Sequence, residues 1–231
     1  MQVGDLDGDG DPDGYLSVYG GPDAVVLSEP DSASVYSLNL TVDADGAAIA
    51  DLNGDGFQHV FSANAGDPNT VYVWSPTQSR LVSTGAGYGG DDLSTDVAAG
   101  DLDGDDDIDI VVANGGLADS EIWLNSGTAS FTRGSVLQVT GGNAVAVVLG
   151  DLDLDGDLDI IESHAELFAI IGRSNRVWLN DGAGNFTVAQ NFGESGTEQI
   201  ALGDLDCDGD LDVVLATVSG ARVFLNQPSA D

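Results

Sequence analysis

The stretch Asp151-Leu-Asp-Leu-Asp-Gly-Asp-Leu-Asp159 places a carboxylate at every odd position of a nine-residue segment. Related segments occupy residues 5–13, 51–59, 101–109 and 204–212. Position 6 is glycine in four copies, which permits a left-handed turn at little steric cost. In the third copy it is Asp106, a residue type that is also tolerated there. We therefore expect each segment to curl tightly, so that the side chains at positions 1, 3, 5 and 9 converge.

These carboxylates repel one another at pH 7, because aspartate titrates near about 3.9. A hard divalent cation with all-oxygen ligands relieves the repulsion, and a flexible carboxylate set suits Ca²⁺ better than Mg²⁺. We predict strong calcium sites in four segments, with the backbone carbonyl at position 7 as a further ligand. The candidate ligands there are Asp5, Asp7, Asp9, Asp11, Asp13, Asp101, Asp103, Asp105, Asp107, Asp109, Asp151, Asp153, Asp155, Asp157, Asp159, Asp204, Asp206, Asp208, Asp210 and Asp212.

The second segment, Asp51-Leu-Asn-Gly-Asp-Gly-Phe-Gln-His59, departs from this pattern. Asp51, Asn53 and Asp55 still offer oxygen atoms, but His59 replaces the carboxylate at position 9. Imidazole is a poor ligand for a hard cation. We therefore predict a fifth calcium site that is weak or empty.

The composition is strongly acidic. The formal net charge is -35, and the five basic residues are all arginine. Such a surface repels nucleic acid and anionic membranes. No run approaches the roughly 18 apolar residues of a membrane span, so we expect no membrane insertion. The single cysteine, Cys207, rules out an intrachain disulfide.

The predicted metal chemistry also suggests a compartment. Extracellular calcium modules typically bind in about the 10⁻⁴–10⁻³ M range, which is useful only where free Ca²⁺ is similarly high. We therefore expect an extracellular or cell-surface protein. Met1-Gln-Val3 leads almost directly into the first acidic segment, so its export signal is expected to lie outside this stretch.

Between the acidic segments the chain has the pattern of short strands. The segments begin 46–53 residues apart, a period typical of an array of supersecondary units. Each interval holds β-branched and aromatic runs between turn residues, enough for four short strands. A repeated four-stranded antiparallel sheet is a propeller blade.

We predict an all-β fold, a β-propeller of five repeats in one domain, residues 1–231, with the acidic segment joining strands 1 and 2 of each blade. The short terminal stretches leave two alternatives open. The repeats form either a five-bladed ring with an incomplete last blade or a fragment of a larger ring.

Two longer stretches show the repeat most fully. One is Val97-Ala-Ala-Gly-Asp-Leu-Asp-Gly-Asp105 followed by Ile108-Asp-Ile-Val-Val-Ala-Asn114, and the other is Ile200-Ala-Leu-Gly-Asp-Leu-Asp-Cys-Asp-Gly-Asp210 followed by Leu211-Asp-Val-Val-Leu215. The stretch Trp178-Leu-Asn-Asp-Gly-Ala-Gly-Asn-Phe186 adds a downstream part. These residues resemble the FG-GAP/VCBS repeat of the integrin α-subunit propeller, and the five copies extend the resemblance over essentially the whole chain.

The resemblance implies a β-propeller with Ca²⁺ in the loops between strands 1 and 2. It implies no single activity, because such propellers occur in adhesion proteins, in lectin-like modules and beside catalytic domains. The EF-hand also begins Asp-x-Asp-x-Asp-Gly, but it requires Glu at position 12 and flanking helices. Only one copy, at Glu162, has that glutamate.

Two further groups of residues carry predictions. Trp74, Trp123 and Trp178 are interpreted as taking the same place in strand 3 of successive blades, where they pack between blades. Two long connections, residues 83–95 and 163–175, are expected to lie near each other on the face opposite the metal loops, where recognition residues tend to sit. The speculative ligand-binding residues there are Tyr88, Asp91, Asp92, His164, Glu166, Phe168, Arg173 and, just beyond, Arg176.

The leading hypothesis is a calcium-binding propeller without enzymatic activity, acting as an extracellular binding or adhesion module for a protein or polysaccharide ligand. The alternative is a polysaccharide lyase or hydrolase with its site on the face opposite the calcium loops. The sequence has no Ser/His/Asp order, paired-histidine motif or phosphate loop, and we assign no catalytic residue. Abundant carboxylates keep the alternative open, since spacing alone does not exclude a converging pair.

Overall fold

The computed structural model of the protein describes residues 1–18, 21–29, 31–38, 43–90, 92–138, 143–165, 174–193 and 196–226. The regular structure of these residues is entirely β, with 19 strands. None of the described residues belongs to a helix that could cross a membrane.

The strands fall into five consecutive groups, which we call blades 1 to 5. Blade 1 contains β1 (Gln2–Gly4), β2 (Asp13–Leu16), β3 (Ala24–Glu29) and β4 (Ser32–Ser37). Blade 2 contains β5 (Asp43–Ala50), β6 (His59–Ala65), β7 (Asn69–Ser75) and β8 (Arg80–Tyr88). Blade 3 contains β9 (Leu93–Gly100), β10 (Asp109–Gly115), β11 (Ser120–Asn125) and β12 (Phe131–Leu137). Blade 4 contains β13 (Ala144–Gly150), β14 (Asp159–His164), β15 (Asn175–Asn180) and β16 (Phe186–Phe192), and blade 5 contains β17 (Thr197–Gly203), β18 (Asp212–Thr217) and β19 (Gly220–Phe224).

Within each blade, consecutive strands pair in antiparallel order. The acidic segment joins the first and second strands in every blade. A single pair between Ala65 and Leu93 also links blades 2 and 3. The all-β class, the five repeats and the antiparallel blades are therefore confirmed, with four strands described in each of blades 1 to 4 and three in blade 5.

The hydrophobic core lies between blades rather than within them. Four clusters of buried apolar side chains join blade 1 to 2, blade 2 to 3, blade 3 to 4 and blade 4 to 5. The second strand of an inner blade, 2, 3 or 4, has a neighbouring blade on both sides. Consequently all seven residues of β10 are buried, and the strand reads as a continuous apolar run instead of an alternating one.

The strand register corrects one sequence prediction about the tryptophans. Trp123 pairs with Ile110 and Trp178 pairs with Ile160, so these two do take equivalent places in neighbouring interfaces. In blade 2 the equivalent residue is Tyr72, which pairs with Val60. Trp74 does pack between blades as predicted, partly buried against the core between blades 1 and 2. The prediction of an equivalent place was wrong for it, because it lies two residues further along its strand than Tyr72.

The five blades form an open arc in the described residues. No apolar cluster of this part of the chain joins blade 5 to blade 1. Side chains on the two outward faces are correspondingly exposed, with Val3 and Val35 in blade 1 at 58% and 66%, and Val223 of blade 5 at 56%.

The glycine that precedes an acidic segment marks where the next blade packs. A Cβ on Gly150 would lie 2.7 Å from Leu202 Cδ1 and 2.8 Å from Leu211 Cδ1, both of blade 5. At Gly203, the same place in blade 5, a Cβ would meet nothing within 4 Å. The glycine therefore serves close approach between blades, and at Gly203 no neighbour makes that approach.

This difference predicts the effect of adding one methyl group. Gly150→Ala should be less stable than Gly203→Ala by about 1 kcal/mol, because the added methyl displaces the side-chain ends of Leu202 and Leu211 from a packed contact. The matched change Gly203→Ala should stay within about 0.5 kcal/mol, as for an ordinary exposed substitution. Urea unfolding of both variants measures this, and equal losses would contradict an open face on blade 5.

Candidate metal centres

The carboxylate at position 1 curls each acidic segment. In blade 3, Asp101 Oδ1 accepts a hydrogen bond from the N–H of Gly104 at 2.8 Å, and Oδ2 accepts from the N–H of Asp106 at 3.0 Å. Asp106, at position 6, has a φ of 70°, so the expected left-handed turn is present. Position 4 is left-handed as well, even where it is Leu154, with a φ of 65°.

The carboxylate at position 9 ties the loop to two strands. Asp109 is fully buried. Its Oδ2 accepts from the N–H of Leu102 at 2.9 Å, and its Oδ1 accepts from the N–H of Asn125 at 2.7 Å, at the end of β11. The same pair of hydrogen bonds recurs at Asp13, Asp159 and Asp212.

Positions 1, 3 and 9 converge in at least three of the segments, within the described residues. One carboxylate oxygen from each of these positions lies within 4.8 Å of the other two in the clusters Asp5–Asp7–Asp13, Asp101–Asp103–Asp109 and Asp151–Asp153–Asp159. These three clusters do not include the position-5 carboxylates Asp9, Asp105 and Asp155, which we expected to converge with them. They also do not include the position-7 carboxylates Asp11, Asp107 and Asp157. In blade 1, Asp7 and Asp9 also meet Glu29, an acid outside the segment that the sequence analysis did not consider.

The fifth segment shows the same crowding of charge. Burial raises the pKa of Asp206, and the charges of Asp208, Asp212 and Asp204 raise it further. Asp210 behaves similarly, since desolvation and its hydrogen bond to Asp208 raise its pKa. Mutual repulsion of carboxylates is therefore a feature of this loop as well.

The electrostatics of the third segment favour a bound cation. Burial raises the pKa of Asp109 to about 6, and burial together with the charge of Asp105 raises the pKa of Asp103. Asp103 Oδ1 is buried without a hydrogen-bond donor. Three converging carboxylates, one with a buried acceptor oxygen, fit a hard divalent ion that takes only oxygen ligands.

The second segment keeps the loop but changes the donor set. His59 is 1% exposed, and its Nδ1 accepts the N–H of Leu52 at 3.3 Å, where the other segments use an aspartate oxygen. Its ring nitrogens lie 3.9 Å from oxygens of Asp51 and Asp55. Burial lowers the pKa of His59, which favours the neutral ring. This group therefore offers two carboxylates and an imidazole in place of three carboxylates.

Asparagine side chains at the ends of the third strands were missed as site residues. Asn180 Nδ2 donates to the carbonyls of Leu158, in its own blade, at 3.1 Å and of Leu102, in the preceding blade, at 2.9 Å. Asn125 and Asn226 bind the preceding loop in the same way. The recurrence of Asn at this place in three blades was a usable sequence signal for these residues.

The speculative ligand-binding residues are not all at the surface. Tyr88 is 6% exposed, packs against Phe61, Trp123 and Phe131 and donates its hydroxyl to the carbonyl of Ala129 at 3.3 Å. It is therefore a core residue, because its ring fills the interface between blades 2 and 3.

The other speculative ligand-binding residues differ in how far their side chains are buried. His164 is 1% exposed, and its Nε2 lies 3.5 Å from Glu162 Oε2. Asp92 and Arg176 are partly exposed, and the Arg176 guanidinium lies 6.0 Å from the ring centre of Trp178. Asp91, Glu166, Phe168 and Arg173 lie outside the described residues.

Blades of this form, with an acidic loop between strands 1 and 2, define a β-propeller protein with candidate metal centres along one face. Residues 51–112, 102–161 and 163–215 each match the family of FG-GAP-like repeats, and the chain belongs to this family. No curated protein sequence matches the chain significantly.

Solved structures support the propeller fold. An Agrocybe aegerita lectin, described as recognising non-reducing terminal N-acetylglucosamine, is 19% identical with a TM-score of 0.58, over 97% of this chain and 62% of that chain. The periplasmic gluconolactonase PpgL of Pseudomonas aeruginosa is 16% identical with a TM-score of 0.67, over 97% of this chain and 65% of that chain. The chain thus spans less than two thirds of either protein, and the likeness concerns the fold alone.

The position-9 carboxylate can be tested against its neighbour at position 7. Asp109→Asn should destabilise the metal-free protein by about 1–3 kcal/mol, because the amide replaces one acceptor oxygen with a donor facing a buried N–H. Asp107→Asn should leave stability nearly unchanged. Urea unfolding in the presence of chelator measures both, and an unaffected Asp109→Asn would contradict the role of this carboxylate.

The raised pKa of Asp109 also predicts how stability depends on pH. Its folded pKa is about 6, against an ordinary value of 3.8, so the folded state binds more protons between these values. Stability must then fall as pH rises through this window. We expect the metal-free protein to melt at a lower temperature at pH 7 than at pH 5, with a smaller difference in Asp109→Asn. A melting temperature that rises across this range would contradict the prediction.

Proposed function

We propose that the protein is a Ca²⁺-stabilised propeller that acts as an extracellular or cell-surface binding module for a carbohydrate or protein ligand. The convergence of the carboxylates at positions 1, 3 and 9, repeated in three blades, carries the proposal. These loops supply only oxygen ligands on a flexible segment, which suits Ca²⁺ better than the stricter octahedral demands of Mg²⁺.

The position of the loops explains how an ion would stabilise the protein. Each loop joins the first two strands of a blade, and the first strands of successive blades lie against one another. Repulsion between unneutralised carboxylates opposes this turn and loosens the packing of the arc. A bound cation removes the repulsion, and ligand linkage adds about 2.7 kcal/mol per site at a hundredfold excess over Kd.

The carboxylate–imidazole pair Glu162 and His164 lies at the end of β14. The burial of this pair favours a binding role over catalysis. Glu162 and His164 are each 1% exposed, and Glu162 accepts hydrogen bonds from Ser120 and Trp178. A polysaccharide chain cannot reach a pair enclosed in this way. The likeness in fold to a carbohydrate-recognising lectin supports a sugar as the first ligand class to examine.

Calcium titration tests the metal assignment. We expect four strong sites per chain and one weaker site, counted by calorimetry against the chelated protein. His59→Asp should strengthen the fifth site, because it restores the carboxylate at position 9. Asp107→Asn should retain the count, while Asp109→Asn should lose one site. Binding of one ion or none to the wild-type protein would refute the proposal.

Thermal melting tests the coupling of metal to folding. Removal of Ca²⁺ should lower the melting temperature by roughly 20 °C or more, given four sites of the above strength and a chain of this size. Mg²⁺ should restore little of this loss. A melting temperature that does not change with Ca²⁺ at low ionic strength would mean that the acidic loops do not stabilise the fold by binding metal.

Binding to immobilised glycans tests the ligand class. We expect selective binding in Ca²⁺ that is lost with chelator, because an unstable arc does not hold a recognition surface in place. Chelated protein is the control for non-specific adsorption. Absence of binding to any glycan in Ca²⁺ would direct attention to protein ligands instead.

A further inference from the structure

The acidic segment of blade 2 differs from the others in the chemistry of its ninth position. In the clusters of blades 1, 3 and 4 the converging groups are the carboxylates of positions 1, 3 and 9. In blade 2 they are Asp51, Asp55 and His59, at positions 1, 5 and 9. The imidazole ring therefore places a nitrogen donor beside two carboxylates, and the position-5 carboxylate joins the cluster.

The nitrogen that reaches into this cluster is Nε2 of His59. The residue is 1% exposed, and Nδ1 of its ring accepts the N–H of Leu52. Nε2 makes no hydrogen bond to the residues that the structure describes, and it lies 3.9 Å from Asp55 Oδ2, beyond hydrogen-bond distance. Polar groups of buried side chains normally have a partner, so this nitrogen points to a ligand that the chain itself does not supply.

The two carboxylates are held in place while they stay open to solvent. Asp51 accepts the N–H groups of Gly54 at 2.9 Å and of Gly56 at 2.8 Å. Asn53 Nδ2 donates to Asp55 Oδ2 at 3.0 Å. The side chains of Asp51 and Asp55 remain 35% and 46% exposed, so an ion can enter from solvent and keep water in its remaining positions.

We propose that the acidic segment of blade 2 is a site for a divalent transition-metal ion of the Zn²⁺ type, bound by His59 Nε2 and by one oxygen each of Asp51 and Asp55. Imidazole nitrogen suits Zn²⁺, whereas Ca²⁺ takes oxygen ligands. Two carboxylates also balance the charge of one divalent ion, whereas the segments of blades 1, 3, 4 and 5 each carry five or six acids.

The geometry requires a modest contraction of the cluster. The three ligand atoms lie within 4.8 Å of one another. Zn²⁺ holds such atoms at about 2.0–2.2 Å, which places tetrahedral ligands roughly 3.4 Å apart, so the exposed carboxylates swing inward by about 1 Å. Binding at Nε2 takes the neutral tautomer with its proton on Nδ1, which gives up the long 3.3 Å contact from Leu52.

Calorimetry with Zn²⁺ in a large excess of Ca²⁺ tests this site separately from calcium binding. The exposed Cys207 is replaced by serine throughout, because cysteine thiolate is itself a good ligand for Zn²⁺. We expect one Zn²⁺ per chain. His59→Asn should weaken its binding at least about tenfold, which corresponds to about 1.4 kcal/mol, because the amide oxygen still accepts the N–H of Leu52 but supplies no imidazole.

Nitrogen NMR of the imidazole rings identifies the ligand without a change in the site. The chain has two histidines, and the other, His164, is buried beside Glu162. Zn²⁺ should shift the resonance of His59 Nε2 and leave His164 unchanged. Absence of Zn²⁺ binding, undiminished affinity in folded His59→Asn, or a shift at His164 in place of His59 would overturn the proposal. The Ca²⁺ sites are counted without Zn²⁺, so their failure would leave this result standing.

Discussion

The structure depends on one buried carboxylate in blades 1, 3, 4 and 5, whose place His59 takes in blade 2. Asp109 and its equivalents use both oxygens to accept backbone N–H groups, one at the start of the acidic loop and one at the end of the third strand. A single side chain thus fixes the turn between strands 1 and 2 and the alignment of strand 3. Because its charge is buried, the same carboxylate raises the electrostatic cost of the loop, which a cation in the adjoining cluster would remove.

The loops are also connected from blade to blade. The Asn180 side chain joins the carbonyl of Leu102 in one loop to that of Leu158 in the next, and Asn125 and Asn226 repeat the connection on either side. Each of these asparagines therefore connects its own blade to the backbone of the acidic loop in the preceding blade. The apolar clusters join the same pairs of blades as these hydrogen bonds. The packing of the blades and the geometry of the acidic loops therefore depend on each other.

The arc has two different ends. The leading face of each inner blade carries a large ring, Tyr72, Trp123 or Trp178, whereas blade 1 has Val26 opposite Gly14 at the equivalent place. Blade 5 instead presents Val223 and Leu225, exposed by 56% and 50%, whereas the equivalent Val177 and Leu179 of blade 4 are partly buried. The repeats are alike in their loops, but their interfaces differ in volume from one to the next.

The sequence by itself determined the repeat, the strand content and the loops, because a nine-residue segment makes its own contacts. Position 1 accepts hydrogen bonds from position 6 and from position 4 or 5, and position 9 accepts one from position 2. The FG-GAP resemblance and the spacing then predicted the blades. Only the tertiary structure placed Tyr72 rather than Trp74 with the interface tryptophans, buried Tyr88 and His164, left the position-7 carboxylates outside the three converging clusters and revealed the asparagine connections. Those outcomes depend on strand register and on contacts between residues about 50 or more positions apart, such as Asn125 and Leu52, and a local pattern carries no record of such distant pairings.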